Sequence, residues 1–174
     1  MDLRFPHHEN EIAQAEAATG KPFARFWIHV GLLTIHGEKM SKSLGNFITI
    51  RDLMAKWDPE VIRMFFAQAQ YRSPPDYTEK ALGDVAKSLD RLRRVKERLE
   101  THASTEEKKK TSSRSSASHD FESSIECLGK EFAVAMDDDF NTPKAFAALF
   151  EFVNKTNKYF EDGKDPSAVL CQQA

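Results

Sequence analysis

Two clusters near the start of the chain have residue types and spacings that could do chemistry. Lys39-Met40-Ser41-Lys42-Ser43 puts two ammonium groups three positions apart on a serine-rich stretch, followed by Leu44-Gly45-Asn46. Such a segment can fold over a polyphosphate and neutralise the charge that grows on it during nucleotidyl transfer. Lysine suits the task because its compact charge rides on a long stem that follows a moving phosphate. Gly45 lets the loop open and close. For an arbitrary pair of lysines, a solvated basic turn is the commoner reading. Upstream, His7 and Glu11 stand four positions apart, so a helix would carry both on one face, suited to gripping one Zn2+. Two donors do not complete a tetrahedron, and a surface pair is the alternative.

These groups need elements to position them. Pro6 suits a first helical turn and Gly20-Lys21-Pro22 is a stop, which predicts a helix from about Pro6 to Thr19. The run Phe26-Trp27-Ile28-His29-Val30-Gly31-Leu32-Leu33-Thr34-Ile35 is aromatic and β-branched. It predicts an extended, buried strand pair, or a strand kinked at Gly31, in which Trp27 and His29 read first as core residues. His36-Gly37-Glu38 turns the chain toward the lysine loop.

Beyond the loop, Thr49 with Asp52 resembles a capping box, and Asp58-Pro59-Glu60 launches a largely buried Val61–Phe66. Tyr71-Arg72-Ser73-Pro74-Pro75-Asp76-Tyr77 is an irregular connector. From Thr78 a long helix carries Leu82, Val85, Leu89, Leu92, Val95 and Leu99 on one face and Arg91, Arg93, Arg94, Lys96 and Arg98 on the other. Residues 104–119 have almost no apolar content and read as a flexible linker. Two helices follow: Phe121 to about Asp137, with Phe121, Ile125, Leu128, Phe132 and Met136 on one face, and Pro143 to about Phe160, capped by Thr142. The tail from Gly163 reads as frayed.

Composition narrows the class. The chain has 174 residues, 25 basic and 27 acidic, for a net charge of −2, which disfavours a partner held by bulk positive charge. No apolar run approaches the ~20 residues that cross a bilayer, and Met1-Asp2-Leu3-Arg4 does not open like a signal peptide. Cys127 and Cys171 form no closely spaced framework, which fits a reducing cytoplasmic setting. With 13 Phe, 2 Trp and 3 Tyr, there is bulk for a core.

Taken whole, Lys39–Ser43 resembles the KMSKS signature of the class I aminoacyl-tRNA synthetases. That resemblance makes Lys42 the principal ATP phosphate contact and Lys39 its partner, with Ser41 and Ser43 at the nucleotide. It also implies that the loop stabilises the leaving pyrophosphate as an aminoacyl-adenylate forms. Phe5-Pro6-His7-His8-Glu9-Asn10-Glu11-Ile12-Ala13-Gln14 narrows the family, since it is similar to the zinc-ligand segment of cysteinyl-tRNA synthetases. By that resemblance His7 and Glu11 are ligands, His8 is an adjacent active-site histidine, and the metal tells cysteine from serine through the thiolate, which suits zinc's preference for sulfur. Trp27-Ile28-His29-Val30-Gly31 looks like the family's strand ahead of the loop, so Trp27 and His29 become candidate adenylate contacts. Tyr71–Pro74 and Met136–Pro143 match family segments in the stem-contact and helical anticodon-binding regions. For Asp137, Asp138 and Asp139 a structural role as polar turn and helix entry is expected, because acids do not attract tRNA phosphates.

The implied fold is an α/β remnant, the end of a Rossmann-type catalytic domain with its KMSKS loop, followed by a mostly α-helical stem-contact region and helical bundle. The expected division is 1–48 catalytic, 49–77 stem-contact, 78–103 first bundle helix, 104–119 linker, 120–162 remaining bundle and 163–174 tail. No His-x-Gly-His occurs, and neither Cys127 nor Cys171 matches a zinc-ligand position of the family. The chain therefore reads as a C-terminal piece with half a zinc site, inactive alone. Cysteine, ATP and tRNA(Cys) are the implied partners, with the missing N-terminal half as a separate chain among the alternatives. A non-catalytic tRNA-binding or partner-binding module, and an enzyme like the cysteine:glucosaminyl-inositol ligase, are the other readings. The arginine face of the long helix and Lys108-Lys109-Lys110 are its candidate tRNA contacts.

Overall fold

A computed structural model describes residues 3–109 and 116–163. Leu3 C=O accepts from His8 N–H at 3.0 Å, so the chain enters through a π-type turn at Arg4–His8 and passes directly into α1, Glu9–Thr19. Gly20, at φ 64°, ends α1 in the left-handed conformation as expected, its N–H donating to Glu16 C=O.

The segment from Phe26 to Leu33 forms neither a strand nor a strand pair, and it is not buried. Only Thr34–Ile35 (β1) pairs, and Phe26, Ile28, Val30 and Leu32 lie exposed, Phe26 at 86%. Composition favours extended backbone, but burial needs a covering layer, and the described residues supply none over this stretch. Gly31 marks a close approach: its N–H donates to Tyr71 C=O at 2.7 Å, and a Cβ there would overlap the Ser73 carbonyl.

β1 turns through His36-Gly37 into β2, Glu38–Lys39. Both turn residues have positive φ (53° and 78°), the sign required for a two-residue hairpin of type I′. β1 also pairs in parallel with β3, Asp76–Tyr77, giving the order β2-β1-β3. Between them lie α2, Ile50–Met54, whose capping box of Thr49 and Asp52 is formed reciprocally, and α3, Pro59–Ala67, capped by Asp58 with Pro59 at its start. Val61, Ile62 and Met64 of α3 are buried, whereas Phe66 is exposed.

α4 spans Glu79–Lys109, α5 Ser116–Asp137 and α6 Thr142–Glu161. The stretch expected to be a linker is thus helical at both ends, where Glu106, Glu107, Lys108 and Lys109 are strong helix formers. Residues 110–115, including Lys110, and the expected frayed tail from 164 onward lie outside the described residues. Two corrections concern the bundle. Asn141, rather than Thr142, caps α6, accepting from Lys144 N–H at 3.2 Å, while Thr142 takes the first helical position and donates its hydroxyl to Ala69 C=O. Phe132 faces outward at 45% exposure, and Ala135 is buried in its place. At this end of the two contacting helices the buried positions are the small residues Ala135, Ala145 and Ala148.

Two apolar clusters result. One joins Ile35, Tyr77, Leu53, α3, and Leu82 and Val85 of α4; the other joins Val95, Leu99 and Ala103 of α4 to Phe121, Phe152, Val153 and Tyr159. Leu92 packs against both, which makes α4 the shared spine. Among the described residues no helix is long and apolar enough to cross a membrane.

Candidate functional site

The lysine loop grows from the end of β2. Lys39 closes the hairpin ladder opposite Thr34, and Met40 turns inward against the β1/α3 cluster. The loop is then fastened by a residue whose role the sequence reading missed. Asn46 Oδ1 accepts from Ser41 N–H at 2.8 Å, and its Nδ2 donates to Lys39 C=O at 3.3 Å. Ser41 Oγ lies 3.1 Å from Ser43 Oγ and accepts from Leu44 N–H at 3.3 Å. Gly45, at φ 68°, donates its N–H to Lys42 C=O, a geometry that a residue with a Cβ adopts only with strain. Backbone and serines are therefore tied within the loop, while the Lys42 side chain is exposed, its Nζ 5.5 Å from the Phe47 ring centroid. No local pattern singles out Asn46, because its contacts reach back five and seven positions across the loop.

The histidine segment and the strand-like segment meet. His8 Nδ1 lies 3.2 Å from His29 Nε2, so one ring donates to the other. The His8 ring centroid is 5.2 Å from Trp27 and 5.1 Å from His29, and Phe23 lies 5.7 Å from Trp27. Trp27 is exposed and His29 half-buried, so neither is a core residue. His7, at the end of the π-type turn, and Glu11, in the first turn of α1, are both exposed. No group of three His, Cys, Asp or Glu side chains able to hold a metal occurs among the described residues.

Elsewhere, charges singled out by the sequence are engaged with neighbours. Arg93 bridges Asp58 (2.8 Å) and Glu60 (2.6 Å), and the guanidinium holds the Asp58 carboxyl below its usual range. Arg91 donates to Asn154 and lies over Phe150, Arg98 lies over Phe160 at 4.3 Å, and Lys96 pairs with Glu100. Arg91, Arg93, Lys96 and Arg98 thus each have a partner within the fold while staying exposed, and Arg94 on the same face is exposed as well. Asp139 accepts from Arg72 Nε at 2.6 Å, Arg72 Nη2 at 2.9 Å and Tyr71 OH at 2.7 Å, and the Arg72 fork brings its carboxyl down from 3.8 to about 2. Asp76 Oδ1 accepts from Gly37 N–H and Thr34 Oγ1, which pins the hairpin turn to β3. Both acids serve long-range partners, so local pattern gave no sign of them.

The family model for the class I (C) tRNA synthetase catalytic domain matches residues 1–87, the half of the chain that carries this loop, and the DALR domain model matches residues 131–174. The chain belongs to the cysteinyl-tRNA synthetase family. It is 44% identical over 174 residues to the cysteine–tRNA ligase of Thermococcus onnurineus (strain NA1), covering 99% of this chain and 36% of that protein. The cysteine–tRNA ligase of Thermodesulfovibrio yellowstonii is 47% identical over 167 residues, 95% of this chain and 33% of that one. In fold the chain matches the leucyl-tRNA synthetase of Agrobacterium radiobacter K84 solved in a ternary complex with tRNA and LeuAMS. The TM-score is 0.73 at 14% identity, over 98% of this chain and 23% of that one. The chain spans about a third of the length of the curated relatives it matches.

Proposed function

We propose that the chain supplies the pyrophosphate-side loop and the helical tRNA-facing region of a cytoplasmic cysteine–tRNA ligase that activates cysteine with ATP and transfers it to tRNA(Cys). The observation that carries this reading is the Asn46-fastened loop, which presents Lys42 to solvent on a hairpin hydrogen-bonded to the connector before α4. In activation, a cysteine carboxylate oxygen attacks the α-phosphorus of ATP, and the bond to the bridging oxygen breaks, leaving its electron pair on pyrophosphate. Lys42 and Lys39 offset the charge growing on that leaving group, with Ser41 and Ser43 beside them, an effect strongest in a fixed, pre-oriented loop. His8, Trp27 and His29 form an aromatic surface suited to the adenylate side of the same site.

The zinc expectation is narrower. His7 and Glu11 are proposed as two donors, but a Zn2+ site takes three or four protein ligands. By themselves these residues do not fit the ion, and no step here runs through it. The helical region is proposed to face tRNA, with the exposed basic face of α4 as its candidate contact surface, and the proposed boundaries near residues 48 and 77 separate the loop-bearing part, the stem-contact part and the bundle. The DALR match and relatives named cysteine–tRNA ligase support the tRNA enzyme over the cysteine:glucosaminyl-inositol ligase.

Calorimetric titration of the 174-residue chain with pyrophosphate tests the reading. Lys42→Ala is expected to weaken binding about tenfold or more, the scale of one charge-assisted contact; equal affinity in the two proteins contradicts it. Alone, the chain is expected to show no cysteine-dependent exchange of pyrophosphate into ATP above the Lys42→Ala background.

A further inference from the structure

Residues 69–72 and 139–142 are joined by a dense set of long-range polar contacts. To the Asp139 carboxylate bonds from Arg72 and Tyr71 are added Gln70 Nε2 donating to Asp139 C=O at 3.2 Å and Thr142 Oγ1 donating to Ala69 C=O at 3.3 Å. Phe140 packs edge-on to Tyr71, and the Arg72 guanidinium lies 4.9 Å from the Tyr71 ring centroid. Asp139 and Phe140 both adopt positive φ, 53° and 51°, unusual for residues with side chains, so the α5–α6 turn is shaped to present this carboxylate.

The other side of the same connector grips the hairpin. Tyr71 C=O accepts from Gly31 N–H (2.7 Å), Pro75 C=O from Thr34 N–H (2.9 Å), and Asp76 Oδ1 from Gly37 N–H (2.7 Å). Tyr71 therefore bonds the bundle through its hydroxyl and the hairpin through its carbonyl. From Gly31 the chain itself runs three residues into β1, where Thr34 pairs with Lys39, the first residue of the lysine loop.

We propose that Asp139 is a positioning residue for the Lys39–Ser43 loop, acting through Arg72 and Tyr71 to set the hairpin on which the loop is mounted. The α5–α6 turn and the loop are then one mechanical unit, so a displacement of the bundle moves the lysines. This assignment rests on the reading of the loop as the pyrophosphate-side element. It also goes beyond the local, helix-entry role that sequence suggests for the aspartates.

Amide hydrogen exchange by NMR on the 174-residue chain tests it. In Asp139→Ala, the amides of Gly31, Thr34 and Gly37 should exchange about tenfold faster relative to the helix-core amides of Val95 and Phe152, with a smaller effect in Asp139→Asn, which keeps one acceptor. If Asp139→Ala does not fold, Tyr71→Phe, which removes only the hydroxyl link, should still accelerate the same three amides about threefold. Pyrophosphate affinity in Asp139→Asn should fall in parallel. Acceleration confined to residues 138–145, a uniform rise that includes Val95 and Phe152, or unchanged pyrophosphate affinity would each overturn the assignment. The two readings fail separately: pyrophosphate binding insensitive to Lys42→Ala removes the functional reading, whereas Lys42-dependent binding with unmoved hairpin amides removes only this one.

Discussion

The hairpin region and the helical bundle solve opposite problems. Around β1 and the lysine loop, order comes from directed polar contacts, Asn46 across the loop, Asp76 into the turn and Tyr71 onto Gly31, while Phe26, Ile28 and Val30 face outward. In the bundle, order comes from buried apolar contact around Phe121, Phe152 and Val153, and charges such as Arg91, Arg93 and Arg98 are drawn into internal pairs. One region holds its backbone and presents Lys42, and the other engages Arg91, Arg93 and Arg98 with neighbouring side chains. For a basic residue in this fold, the useful question is therefore what already contacts it, more than how many lie nearby.

The largest test of that contrast is within one helix. Phe121 is 1% exposed in the centre of the bundle cluster, and Phe121→Ala should cost about 3–5 kcal/mol in chemical denaturation. Phe132→Ala, on the outward face of the same helix, should stay within about 0.5 kcal/mol. Comparable losses at both positions would mean that α5 is buried on two sides.

In the hairpin region the corresponding break is steric. Gly31→Ala places a methyl against the Ser73 carbonyl, where only backbone could yield, and should destabilise by about 1–3 kcal/mol with loss of protection at the Thr34 and Gly37 amides. A neutral outcome would show that the approach of connector and hairpin is loose.

A third effect depends on pH. Because Asp139 is depressed from 3.8 to about 2 in the folded chain, its stabilising contribution is fully present above about pH 4 and is lost as pH falls through about 2. Asp139→Asn should flatten the fall in stability across that window while leaving the curve above pH 5 parallel to the parent's. The smallest effect is expected at Thr156, which is 0% exposed with a hydroxyl that finds no partner among the described residues. Thr156→Val should be neutral or slightly stabilising in thermal melts.

What was legible in the sequence was local. Gly20, the Thr49/Asp52 box and the Asp58-Pro59 start act within a few residues of themselves, and each does what its chemistry predicts. The cap of α6 shows where that stops. Asn141 and Thr142 are both capping types beside a proline, and the Thr142 hydroxyl is instead directed to Ala69, far away in the chain. Burial at Phe26–Leu32 and at Phe132 failed for a related reason: periodicity marks an apolar face but not whether a layer covers it. In the site, the lysine motif was visible as a string, whereas its Asn46 fastening and the Asp139–Arg72 joint depend on geometry that only folding supplies.

The central claim, that Lys42 of the loop is available to a phosphate ligand while Arg91, Arg93 and Arg98 of α4 are engaged within the fold, is tested most directly by following backbone amide shifts during a pyrophosphate titration of the 174-residue chain. Shifts concentrated at residues 39–46 and abolished by Lys42→Ala are the predicted result. Shifts centred on Arg91–Arg98 and indifferent to Lys42→Ala would contradict it.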